Sequence, residues 1–160
     1  MQLRSLLTIL LAPLALAVEP APGLRVTFEG AGRDDRRVDR LLALHVPAGQ
    51  PVTPWIPAGA FVARWEGTVE APVRGIYTLW AETSGSFRLT VNGQPVLEGA
   101  GSKSVQLNKG PNAIVAKFES DGRAEAFVRA GWASQDFPRE AFPPTALAHT
   151  PDEALDRALR

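Results

Sequence analysis

Few residues of this 160-residue chain have the type and spacing that chemistry demands. Cysteine is absent, and the only histidines are His45 and His149. Thiolate nucleophiles, thiolate zinc sites, disulfide frameworks, covalently attached c-type haem and multi-histidine metal centres are therefore excluded within the chain. His45 stands in a strand-like run among apolar neighbours, where a packed or hydrogen-bonded structural imidazole is expected rather than a general base. His149 is expected to be exposed. Two carboxylates from Glu66, Glu70 and Glu82 could flank a glycosidic bond. Glu66 and Glu70, however, share the solvent-facing parity of one alternating run, and solvated strand residues are the simpler reading. No Gly-x-Ser-x-Gly elbow occurs. Residues 99–104 have the composition of a phosphate loop but lack a glycine before Lys103 and a following helix, so they read as a flexible interstrand loop. No catalytic set, metal set or cofactor motif is assembled, and the chain reads as a non-enzymatic module.

The elements that would position such residues are short strands. Gly and Pro number 14 each, a proline share well above the usual ~5%. Such punctuation suits strands and turns. Leu24 to Phe28 begins an alternation, and Gly30 to Arg40 carries mixed charges that read as a solvated loop. Leu41 to Val46 is followed by a connection holding Pro47, Pro51, Pro54 and Pro57, which is an extended loop or edge because proline cannot donate to a ladder. Trp55 within it is expected to cover one end of the core. From Phe61 the period is two: Phe61, Ala63, Trp65, Gly67 and Val69 face one way. Runs at Ile76 to Ala81, Phe87 to Val91, Asn112 to Glu119 and Ala124 to Trp132 follow. Asn92-Gly93 signals a type I′ hairpin turn, and Asp121-Gly122 marks another turn. Many short strands at this spacing predict an all-β fold, an antiparallel sandwich or barrel.

The two ends read differently. A basic start, an apolar run over Leu6 to Leu16 and the Ala15-Leu16-Ala17 pattern read as a secretory signal over residues 1–17, with an apolar first strand or anchor helix as the alternative. The run is too short for a bilayer of about 30 Å. Residues 18–22 are a lead-in. At the other end Thr150-Pro151-Asp152-Glu153 has the signature of a helix start, so residues 149–160 are expected to be a short C-terminal helix or the beginning of a linker. Lys plus Arg and Asp plus Glu are 17 each, so no basic surplus points to nucleic acid or an acidic membrane. An exported chain, periplasmic or extracellular, is the expectation.

Several segments together resemble the protective-antigen (PA-fourteen) domain family. They are Arg64-Trp65-Glu66-Gly67, Ala71-Pro72, Gly75 to Leu79, Arg88-Leu89 and Val91-Asn92-Gly93, then Leu107-x-Lys-Gly-x-Asn, Val128-x-x-Gly-Trp132-x-Ser and Phe142-Pro143-Pro144-Thr145-x-Leu147. The resemblance covers residues 23–148 and implies an antiparallel β-sandwich whose usual assigned role is carbohydrate binding. In calcium-dependent adhesin members, two consecutive aspartates in the loop before the Arg-Leu strand hold Ca²⁺ and, through it, sugar hydroxyls. Ser84 and Gly85 occupy those positions here, and neither supplies the carboxylate that a hard cation needs. The resemblance therefore implies binding of a glycan or cell-surface polymer without the calcium site. The candidate ligand residues are Glu82, Ser84 and Ser86 on that loop and Asp121 on a neighbouring turn. Residues 40–57 also resemble a subgroup of exported bacterial proteins in which this module precedes c-type cytochrome domains. That likeness implies a second role, a structural or docking domain that positions a cytochrome-type partner outside this chain and binds no glycan.

Overall fold

The computed structural model describes residues 18–152. The expected signal segment lies outside those residues, as do positions 153–160 of the expected C-terminal helix. In chain order the strands are β1 (Ala21–Pro22), β2 (Leu24–Gly30), β3 (Arg33–Asp39), β4 (Ala43–Val46), β5 (Phe61–Ala71), β6 (Gly75–Thr83), β7 (Ser86–Val91), β8 (Gln94–Glu98), β9 (Gly101–Leu107), β10 (Gly110–Ser120), β11 (Ala126–Ala133), β12 (Glu140–Ala141) and β13 (Leu147–His149), with one 3-10 turn at Pro144–Ala146.

They form two antiparallel sheets. The eight-stranded sheet runs β1-β13-β5-β10-β7-β8, with β2 also on β5 and β3 beyond β2. The five-stranded sheet runs β12-β11-β6-β9, with β4 also on β11. The alternation seen in the sequence fixes which side chains meet between the sheets. Ala63, Trp65 and Val69 of β5, Leu89 of β7 and Ile114 and Phe118 of β10 are buried, as are Tyr77 and Leu79 of β6 and Val128 of β11. Tyr77 stacks on Trp132 at 5.4 Å, and Trp132 meets Phe142 edge-on at 5.6 Å, which closes one end of the core. Asn92 and Gly93 both take positive φ (49° and 78°), as the type I′ turn requires.

The structure departs from the sequence expectations at several places, each for a physical reason. The charged segment after Gly30 is strand β3, not a loop. As an edge strand it needs no second apolar face, and its charges pair along it: Arg36 with Asp34, and Arg37 with Asp39 at 2.7 Å. Arg37 also lies over the Phe28 ring at 4.6 Å, while the Trp65 indole N–H donates to Asp39 at 3.3 Å. Residues 101–104, read as loop, belong to edge strand β9 on β6. Trp55 does not cover the core; it is 68% exposed, and its neighbour Ile56 goes inside instead. His45 is hydrogen-bonded but not packed, and His149 is buried rather than exposed. His45 points outward and its Nε2 meets the Glu125 carboxylate at 2.5 Å, whereas His149 is buried with Nδ1 3.0 Å from the Gly23 carbonyl. Part of the lead-in is structured as well, since Ala21 and Pro22 pair with His149 and Ala148.

Candidate ligand-binding site

The candidate residues fall at the sandwich end where the chain crosses between sheets. Strand β6 belongs to the smaller sheet and β7 to the larger, so Ser84-Gly85 is the crossover. Beside it runs the connection from β10 to β11, residues 121–125. Between them lies an open depression of about 510 Å³ lined by Ser84, Ser86, Glu119, Ser120, Asp121 and Glu125, among others. Three of the four expected residues, Ser84, Ser86 and Asp121, thus come together.

Each has a distinct environment. Asp121 Oδ1 accepts the backbone N–H of Arg123 at 3.0 Å, which leaves its other carboxylate oxygen for a ligand. Ser86 is exposed at the start of β7. The Ser84 hydroxyl is already engaged: it accepts the Phe127 N–H at 2.8 Å and donates to the Phe127 carbonyl at 3.3 Å, and the Ser84 N–H donates to that carbonyl at 2.9 Å. Ser84 is a staple between β6 and β11. Glu119 was not foreseen. It stands opposite Ser86 in the β10–β7 register, on the outward parity next to inward Phe118. The Lys117 ammonium, hydrogen-bonded to it, holds its carboxyl below the ordinary carboxylate value. Glu125, equally unforeseen, joins the pocket wall to His45. The parity of β10 was the available signal for Glu119.

Glu82 lies elsewhere. It faces outward from the smaller sheet, where Arg129 Nε donates to one carboxylate oxygen at 2.6 Å and Arg139 Nη2 to the other at 2.5 Å. It borders a second, shallower depression with Leu44, His45, Phe127, Val128 and Arg129.

The crossover is crowded at Gly85. A side chain at Gly85 would start 2.3 Å from the Glu119 carbonyl oxygen and 2.9 Å from the Phe118 ring. The backbone at this point leaves no room for a carboxylate there, and Ser84 spends its hydroxyl on Phe127. Among the described residues no group of three or more His, Asp or Glu side chains is arranged to hold a metal.

Two antiparallel sheets packed as a sandwich are also the fold of solved PA14 domains. Residues 50–128 match the family described as the PA14 domain. No curated protein matches the chain in sequence. Solved structures do match. An anti-sigma factor domain-containing protein from Clostridium clariflavum superposes with a TM-score of 0.74 at 17% identity, over 82% of this chain and 48% of that one. The PA14 sugar-binding domain from an RTX adhesin gives 0.63 at 16% identity, over 80% and 98%. The epithelial adhesin 6 A domain from Candida glabrata, solved in complex with Galβ1-3GlcNAc, gives 0.65 at 10% identity, over 88% and 92%. Likeness at such identities is likeness of fold. The chain spans about half the length of the anti-sigma factor domain-containing proteins it matches. No helix among the described residues is long and apolar enough to cross a membrane.

Proposed function

We propose that this chain is an exported, non-catalytic module that binds a carbohydrate or surface polymer at the β6–β7 crossover without calcium. The observation that carries this reading is the crossover depression, where Asp121, Glu119 and the Ser86 hydroxyl converge on open space. Hydrogen-bonding groups on loops, held by a rigid sandwich, are what polyhydroxyl ligands require. Support for carbohydrate comes from the two adhesin domains of similar fold, one described as sugar-binding and one solved with a disaccharide. Support for the calcium-free form comes from Gly85, whose close approach to Glu119 excludes a ligating side chain. The signal-like pattern at residues 1–17 supports export to the periplasm or cell exterior.

A second reading is a docking domain that positions a partner such as a c-type cytochrome domain. The observation in its favour is Trp55, a large ring left 68% exposed on a proline-held loop. Isolated exposed tryptophans of this kind are frequent anchors in protein contacts.

A glycan array probed with the purified chain, first with calcium and then with chelator, separates the readings. Binding that persists in chelator is the expected result. Binding abolished by chelator would overturn the calcium-free site. Silence in both conditions would overturn carbohydrate binding in favour of docking.

A further inference from the structure

The second depression, on the outer face of the smaller sheet, is not part of the crossover pocket, yet the two share a wall. Glu125 lines the crossover pocket and pairs with His45, which lines the other. Ser84 does the same through Phe127: it borders the first pocket while holding both backbone polar groups of the residue that forms the second.

The chemistry of this face is amphipathic. Leu44 and Val128 border it but belong with the core, so its apolar centre is the Phe127 ring, which is 38% exposed. His45, Glu82 and Arg129 form a polar rim. The neighbouring aromatic on the same face is treated differently. Trp80 is covered to 6% exposure by the Arg139 guanidinium at 4.1 Å, and its indole N–H donates to the Glu140 carbonyl at 3.1 Å. One ring is roofed and capped, while the ring beside the crossover pocket is left open. The charges around the rim cancel: the guanidinium groups of Arg129 and Arg139, both on Glu82, are matched by the carboxylates of Glu82 and Glu125. A face without unbalanced charge offers hydrogen bonds around an apolar centre, which suits a neutral pyranose ring laid on the aromatic with its hydroxyls at the rim. A polyanion or a charged peptide has no counter-charge to meet there.

We infer that the Phe127 face is a second subsite of the glycan site, so that the ligand is a neutral oligosaccharide running from the crossover pocket across β11, not a single sugar. Ser84 is then a positioning residue that fixes Phe127 and not a ligand. The inference rests on the proposed carbohydrate reading.

The test uses the full chain and three neutral ladders of one to six residues (β1,4-linked glucose, α1,4-linked glucose and β1,4-linked N-acetylglucosamine) in calorimetric titration. Affinity on the preferred ladder is expected to rise about tenfold between one and four residues, the gain of one aromatic-stacked ring. Phe127→Ala should abolish the rise and leave the monosaccharide affinity unchanged. Phe127→Tyr should keep the rise, and Ser84→Ala should reduce it. Asp121→Ala should weaken every length. A rise that survives Phe127→Ala, or binding that is independent of length but still lost in Asp121→Ala, overturns the subsite while leaving the crossover site standing. No binding at any length on any ladder overturns both.

Discussion

Glu82, Ser84 and Ser86 share one parity in the sequence, and three residues at i, i+2 and i+4 of a continuous strand would face the same way. They do not, because the chain changes sheets at Ser84-Gly85. Glu82 keeps the outer face of the smaller sheet, Ser84 borders the pocket but spends its hydroxyl on Phe127, and Ser86 opens onto the pocket with no such tie. The site residues were thus legible as a neighbourhood but not as roles, since a crossover breaks the periodicity on which the sequence reading depends. Gly85 makes the sharpest test. Installing the missing carboxylate by Gly85→Asp should not create a calcium site; it should destabilise the fold by roughly 1–3 kcal/mol through overpacking against Glu119 and Phe118. Urea denaturation with and without Ca²⁺ reads both effects, and calcium-dependent stabilisation of that variant would refute the account. Glu66 gives a pH-dependent case. Burial raises its carboxyl, but hydrogen bonds and charge from Arg64 and Arg25 outweigh this and set it below the ordinary value of 4.5. Its contribution to stability is therefore complete above that ordinary value and is lost as pH falls through the lower, folded value. Because the pair is partly exposed, the contribution is about 0.2–1 kcal/mol. Glu66→Gln should flatten the acid limb of a stability-against-pH profile and leave the profile's shape near neutrality unchanged.

Among the elements, those with two distinct faces could be read from the sequence, and those at the edges could not. Strands β5, β7 and β10 alternate because one face packs in the core, and their positions agree with the periodicity. Edge strands β3 and β9 are polar along nearly their whole length, so hydropathy offers no period to detect. What makes β3 a strand is tertiary: it pairs with β2 over seven residues, and Asp39 reaches the Trp65 indole. Removing that acceptor tests the point. Asp39→Ala should cost about 1–3 kcal/mol, because it leaves a buried N–H without a partner and frees Arg37 from its clamp. A shift in the urea midpoint too small to resolve would mean that water replaces the carboxylate. The outward position of His45 has the same origin. His45 sits among apolar residues in sequence, but only alternate positions of β4 face inward, and Val46 takes the buried one.

For the whole molecule, the fold is held by pairings between segments far apart in the chain. Strand β5 receives β2, β13 and β10, while β11 receives β4 and β6. No local pattern encodes which strand pairs with which, so the sandwich class was legible and the strand order was not. Folding must close these long loops before contacts form, and refolding on the millisecond-to-second scale typical of non-local β topologies is expected in stopped-flow fluorescence of the buried Trp65 and Trp132. A microsecond phase carrying the full signal change would contradict this. The pairing of β1 with β13 has a mechanical consequence. Ala21 lies opposite His149 in an antiparallel pair, so the chain enters and leaves the sandwich side by side at one edge. Tension applied between the flanking segments would open this pair rung by rung rather than load all its hydrogen bonds at once. The join is a zipper, not a shear clamp: it yields at low force, and the two-residue β1 peels away before the sandwich core bears any load.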